Sequence, residues 1–197
     1  MMNLLFIDGC ISNHNPSRTR ILCDYYLQQC ERLGWKIQRV DLAALSLQPF
    51  NGHTLAERRQ AVMEQRFEEQ SICLSRQFQQ ADRIVIGAPY WDLSFPAAVR
   101  TYIEQIMTVG ITFRYTASGP EGLCKADQLV WITTSGGLIQ GENLGLSYLR
   151  GIAQMIGIPE TEFFSAQGLD ISGADIFARL AEAKEKIKEA FSPFERQ

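Results

Sequence analysis

Histidine is scarce in this chain: of 197 residues only His14 and His53 are of that type. Neither belongs to a ligand-spaced cluster, and the five cysteines form no C-x-x-C pair. Transition-metal sites draw mostly on grouped histidines and cysteines, so no resident metal is expected. An odd number of cysteines without a secretory leader fits reduced thiols in a cytoplasm. The opening apolar run of MMNLLFIDGC has no basic flank and stops at Asp8. No later run approaches the ~20 apolar residues of a spanning helix, so neither a signal peptide nor a membrane partner is expected. The net charge of -3 is too small to argue for nucleic acid or an anionic membrane surface. G-x-G-x-x-G, G-x-x-x-x-G-K-[ST] and G-x-S-x-G are all missing. Their absence removes support for a dinucleotide fold of the usual kind, a P-loop nucleotidase and a serine hydrolase.

What is present is an ordinary globular composition, 46% hydrophobic, suited to one domain over residues 1–197. Continuous apolar runs recur at Leu4 to Ile7, Val40 to Ala43, Ile84 to Ile86, Leu129 to Ile132 and Phe163 with Phe164. Runs without alternation suit strands buried on both faces, as in a parallel sheet. Between them, residues 17–33, 95–108 and 174–191 carry apolar positions at helical steps. Strand and helix alternate about five times, the pattern of a doubly wound α/β sheet. Residues 48–70 break the rhythm: polar and charged, they read as a surface excursion with a helical part, either a solvated face or a lid.

In open α/β sheets, ligands bind beyond the carboxyl ends of the strands, near the point where strand order reverses. That singles out three loops, CISNHNPSRTR, GAPYWDLSFP and TTSGGLIQGEN. In the first, Asn15 suits a helix cap and Pro16 the first helical position, followed by Ser17, Arg18, Thr19 and Arg20. Free amides and hydroxyls at a helix start make a phosphate cradle. The same residue types also cap helices that bind nothing. In the second loop Phe95 and Val99 read as core, whereas Tyr90 and Trp91 precede the helix and offer a planar apolar wall. In the third, Gly136 and Gly137 let backbone approach a ligand closely. Phosphate donors, a flat wall and close backbone at one sheet end suit a phosphorylated flat heterocycle, FMN best of all.

Two stretches carry a family resemblance. PYWDLSFPAAVRTYIEQI corresponds to a P-x-Y-N-F segment and its helix, and GITFRYTASGPEGL, residues 110–123, is close to G-x-T-F-x-Y-x-x-x-G-P-x-G-L. With Ser17-Arg18-Thr19 as an S-x-[ST] loop, the chain resembles the flavodoxin-fold FMN-dependent oxidoreductases of the azoreductase and quinone reductase group. The order and spacing of these matches hold from about residue 3 to 170. The resemblance implies a flavodoxin-like sheet of five parallel strands, order 2-1-3-4-5, with helices on both faces. It implies that Ser17, Arg18 and Thr19 bind the FMN phosphate, near Cys10, where the family often has a serine. Pro89, Tyr90, Trp91, Asp92 and Leu93 would border the isoalloxazine ring. Thr134, Ser135, Gly136 and Gly137 would contact its pyrimidine side and ribityl chain. Phe113, Tyr115 and Met155 would lie on the substrate face.

The implied activity uses tightly bound FMN, NADH or NADPH as donor, and a quinone or azo compound as acceptor, in a ping-pong sequence. Flavin N5 carries the chemistry, so no side chain is needed as a catalytic group. Family members are usually homodimers with the active site at the subunit interface. Two other classes stay open: a flavodoxin-like electron carrier, and a flavin-binding regulatory protein without turnover.

The chain departs from its apparent relatives at Trp91-Asp92-Leu93, where the family has Tyr-Asn-Phe. A carboxylate at the N5–O4 edge opposes negative charge on reduced flavin and lowers its potential. At an effective dielectric of ~20, a unit charge ~6 Å away is worth on the order of 2–3 kcal/mol before screening. Pairing with Arg100, or protonation, would cancel the effect. The segment 119–122 reads as a turn.

Overall fold

Side chains alternate across a strand, so Leu4 and Phe6 face one way and Leu5 and Ile7 the other. All four are buried, which is why this strand reads as a continuous apolar run rather than an alternating one. The computed structural model describes residues 1–11, 17–66 and 68–194. The chain begins β1 (Asn3–Asp8), α1 (Arg18–Arg32), β2 (Lys36–Asp41), α2 (Gly52–Met63), α3 (Gln70–Gln80) and β3 (Arg83–Gly87). It continues through α4 (Ala97–Ile106), β4 (Phe113–Thr116), β5 (Gly119–Gly122) and β6 (Gln128–Thr134). It ends with α5 (Leu144–Ile156), β7 (Glu160–Ala166) and α6 (Ile176–Phe191).

Five strands form one parallel sheet in the order β2-β1-β3-β6-β7. With the β4–β5 hairpin set aside, this is the expected 2-1-3-4-5 order. On one face Leu4, Phe6, Val85, Val130 and Ile132 pack against α1 and α6 through Leu22, Tyr26, Leu180 and Ile187. On the other, Leu5, Ile7, Ile84, Ile86, Leu129 and Trp131 meet Phe78 of α3, Val99 and Tyr102 of α4, and Leu149 of α5. The central strand β3 is buried along its whole length.

Several expectations are corrected. The second strand runs over Lys36–Asp41 rather than 40–43. It is an edge strand with Lys36, Gln38 and Arg39 exposed, so its pattern alternates and the apolar run marks only its end. Helix α3 carries Ile72, Leu74 and Phe78 into the core from a glutamine-rich segment whose few apolar positions had not marked it as a helix. The cap expected from Asn15 and Pro16 lies outside the described residues; α1 begins at Arg18, and Ser17 caps it by accepting from the Arg20 amide. Residues 119–122 are not a turn but strand β5, paired antiparallel with β4, and the reversal falls at Ala117 and Ser118.

The polar segment contains α2, closed by a capping box between Asn51 and Thr54. Its contacts lead away from the strand ends. Arg58 donates to the Glu104 carbonyl at 3.1 Å and Gln105 donates to the Gln48 carbonyl at 3.0 Å, both at the last turn of α4. In this arrangement it rests on α3 and the last turn of α4. No described helix is long and apolar enough to cross a membrane.

Candidate functional site

The carboxyl ends of β1, β3, β6 and β7 share one edge of the sheet, and the loops leaving them are tied together by backbone. The Ala88 amide donates to the Ile132 carbonyl at 3.1 Å and the Tyr90 amide to the Thr134 carbonyl at 2.9 Å, extending the β3–β6 pairing past the strands. On the other side, the amides of Leu169 and Asp170 donate to the carbonyls of Ser135 and Gly136 at 3.0 and 2.9 Å. Between these loops lies a cleft of about 510 Å³. It is lined by Arg18, Pro89, Tyr90, Trp91, Asp92, Thr134, Ser135, Gly136, Leu169 and Asp170. That volume is in the range of small-molecule sites, ~300–1,000 Å³.

The floor of the cleft is rigid. Trp131 is fully buried; Tyr90 stacks on it with ring centres 6.2 Å apart, and Phe95 meets it edge-on at 5.6 Å. Tyr90 is therefore both core and cleft wall, while Phe95 is core, as the sequence suggested. Beyond Tyr90 the chain makes a tight reversal. Trp91 and Ser94 exchange backbone hydrogen bonds at 3.2 and 2.8 Å, and Asp92 and Leu93 both take left-handed backbone, φ 49° and 63°. This is a type I′ turn, which favours asparagine, aspartate and glycine. A leucine there costs on the order of 1–2 kcal/mol, a strain of the kind found at functional sites. The turn leaves Trp91, Asp92 and Leu93 exposed at the mouth.

The α1 side is held by two polar contacts. Thr19, buried, shares a 2.6 Å hydrogen bond with the Thr134 hydroxyl, fastening the helix start to the end of β6. Buried Asp8 at the end of β1 accepts from Arg20 Nε at 3.2 Å, and Arg20 also donates to the Cys10 carbonyl at 3.0 Å. Arg18 reaches across the cleft, donating to Asp170 Oδ1 at 2.6 Å and to the Leu169 carbonyl at 3.3 Å. Gly136 lets Asp170 lie close over it, since a Cβ there would stand 2.4 Å from Asp170 Oδ2 and push that carboxylate aside.

The structure thus brings Arg18, Pro89–Asp92 and Thr134–Gly136 together in one cleft. Ser17 and Thr19 stand behind it, as cap and as fastening. Leu93 and Gly137 lie exposed just outside its lining. Cys10 does not line it: the side chain is buried and its thiol approaches the Gly87 carbonyl at 3.8 Å. Leu169 and Asp170 were not singled out from the sequence, although the parallel pairing of β6 with β7 makes their loop the neighbour of the Gly-Gly loop. Arg100 does not pair with Asp92; it faces Glu104 at 3.7 Å and stacks over Tyr148 at 4.5 Å.

The expected substrate-face residues lie away from the cleft in the single chain. The hairpin is rooted where the strands begin: Cys124 donates to the Ile156 carbonyl, Lys125 to Gln79 and Asp127 to Asp82, at 3.0–3.2 Å. Phe113 and Tyr115 sit on that hairpin and Met155 in the last turn of α5, at the sheet edge opposite the cleft. A strand of 5–7 residues at ~3.3 Å per residue separates the two edges by roughly 17–23 Å. Within one chain these three residues do not reach the cleft.

A family model described as flavodoxin-like fold matches residues 2–191. A protein from Haemophilus influenzae (strain PittEE), named FMN-dependent NADH:quinone oxidoreductase, is 33% identical over 96% of this chain and 97% of its own length. FMN-dependent NADH:quinone oxidoreductase 1 of Pseudomonas syringae pv. tomato is likewise 33% identical, over 95% of this chain and 97% of its own. Among solved structures, an azoreductase from Bacillus anthracis superposes with a TM-score of 0.83 at 20% identity, covering 96% of this chain and 98% of that one. An FMN-dependent NADH-azoreductase of the same species, solved with FMN, gives 0.82 at 22% identity, over 98% and 99%. These last two bear on the fold alone. Its sheet order, its relatives and its family model agree, and the chain belongs to the flavodoxin-like fold family.

Proposed function

We propose that this protein is an FMN-dependent oxidoreductase that moves two electrons from NADH, or NADPH, to a quinone or azo-type acceptor. The observation that carries the reading is the cleft itself, a flat aromatic wall at Tyr90 and Trp91 facing the backbone of Ser135 and Gly136. The residues present fit FMN. Among the described residues, the amides of Asp92, Leu93, Gly136 and Gly137 donate to no protein acceptor, so they stand ready for a heterocycle's carbonyl and nitrogen atoms. The N-terminus of α1 favours a phosphate, with Arg18 beside it held by Asp170.

FMN held between Tyr90–Asp92 and Thr134–Gly136 would supply the two-electron redox chemistry linking nicotinamide and acceptor. The protein's part is binding and orientation. Tyr90, braced on Trp131, and Trp91 offer a wall for stacking and for excluding water. The Thr19–Thr134 bond keeps the phosphate end and the ring end of the cleft in register. The Asp8–Arg20 pair holds the end of β1 against α1.

Tyr115 and Met155 can complete a substrate pocket only in a second copy of the chain, whereas Phe113 is buried beneath its own hairpin. Apolar side chains exposed on both edges favour that arrangement: Leu93, Leu138 and Leu144 by the cleft, Val109 and Tyr115 by the hairpin. The reading is tested by titrating the purified protein with FMN, then adding NADH and, separately, NADPH under anaerobic conditions. Uptake of FMN and bleaching of its visible absorption, reversed by a quinone, is the expected result. FMN uptake with no bleaching by either nicotinamide would make the protein a carrier or a flavin-binding regulator. Absence of uptake would overturn the reading.

A further inference from the structure

Three charged side chains line the cleft: Arg18, Asp92 and Asp170. Two of them cancel. Arg18 stands 2.6 Å from Asp170 and spends the same nitrogen on the Leu169 carbonyl. Asp92 makes no ion pair among the described residues, and Arg100, the next cation along the chain, is occupied by Glu104 and Tyr148. The charge left over at the cleft is therefore that of Asp92. Its place is set by backbone, since the reciprocal Trp91–Ser94 bonds and two left-handed residues fix the turn that presents it at the mouth.

Resting on the functional reading above, we propose that Asp92 makes the cleft select electron acceptors by charge. Neutral and cationic acceptors enter, and anionic acceptors of the same shape, sulfonated or carboxylated, are held off. An FMN phosphate would add to this negative field rather than offset it. A carboxylate at an open mouth acts through partly aqueous surroundings, so the discrimination is about 3–10-fold and shrinks as salt screens it. A purely steric filter at Trp91 would treat charge variants of one ring system alike and would ignore salt.

The test uses FMN-loaded, oxidised protein without nicotinamide, titrated with anthraquinone-2-sulfonate and with neutral 2-hydroxymethylanthraquinone, reading the flavin absorption. Asp92→Asn is the variant of choice, because asparagine accepts the left-handed backbone of this turn and only the charge is removed. In the wild type the neutral quinone is expected to bind more tightly than the sulfonate, by a margin that falls about 3–10-fold on Asp92→Asn or in 0.5 M salt. A quaternary-ammonium quinone should show the opposite dependence. The same substitution should raise the reduction potential of bound FMN. Neutral-to-anionic ratios equal in wild type and variant, and unmoved by salt, would overturn the proposal. Failure to take up FMN, or to be reduced by NADH, would bring down the functional reading and this proposal with it. If both steps succeed, only the charge preference is at stake.

Discussion

The two edges of the sheet are built on different principles. At the carboxyl edge, the loops after β3, β6 and β7 meet through a few backbone bonds and leave a cleft whose wall includes a strained turn, Asp92-Leu93, and a carboxylate, Asp170. At the opposite edge, the β4–β5 hairpin is packed onto α5 so closely that Gly122 touches backbone. A Cβ at residue 122 would stand 2.0 Å from the Gly157 nitrogen. One edge has open amides and exposed charge; the other has satisfied backbone and close contact. The difference separates binding from architecture: the motif at 110–123 has the look of a site but is, within one chain, a projecting structural arm.

The sharpest way to break that contrast is Gly122→Ala. The contact there is backbone, which cannot swing aside, so a loss of about 2–4 kcal/mol is expected. For a chain of this size that lowers the melting temperature by about 5–15 °C in a thermal scan. Cys124 at the hairpin root, its thiol pushed up to about 12 by burial, reports the same event. At pH 8 it stays protonated and slow to alkylate in the wild type, and should react faster in the variant. FMN affinity of the folded fraction should not change, since the cleft lies at the other edge.

Next in size is Thr19→Val, which leaves the Thr134 hydroxyl buried without its partner and should cost about 1–2 kcal/mol in denaturant unfolding. Here stability and FMN affinity should fall together. A loss of stability with unchanged affinity would show that the α1 start does not position the cleft.

Asp170→Asn should do the reverse. The Arg18–Asp170 pair is partly exposed, at 35% and 69% of the side-chain surfaces, so its removal costs less than about 1 kcal/mol. Freed Arg18 should improve binding of FMN relative to riboflavin several-fold, read by parallel titrations. The smallest effect on the isolated fold is expected from Tyr115→Ala, within about 0.5 kcal/mol because the side chain is largely exposed. If the hairpin serves a second copy, the same change raises the dimer dissociation constant in sedimentation experiments and the KM for quinone. Unchanged values would confine the hairpin to one chain.

Much of the cleft was legible because its residues follow directly on strands with strong apolar runs. Once Ile84–Ile86 and Leu129–Ile132 read as neighbouring parallel strands, Pro89–Asp92 and Thr134–Gly136 had to emerge side by side. Asp170 was not legible: it follows an edge strand marked by only two phenylalanines, and no motif surrounds it. The hairpin was misread for another reason. Gly-Pro-Glu-Gly has turn composition, and only pairing with Phe113–Thr116 and the fit of Gly122 on α5 make it a strand.

The sequence by itself determined an alternating α/β chain with a buried parallel sheet and the loops that follow its strands, because local apolar periodicity and chain alternation suffice for those; the strand order followed only from the family resemblance. It did not determine that Arg18 is occupied by Asp170, that Thr19 is tied to Thr134, or that Phe113, Tyr115 and Met155 stand at the far edge. Those depend on contacts between residues 43 to 152 positions apart. Such contacts exist only once packing has set the distances, and they leave no trace in the local pattern of the chain.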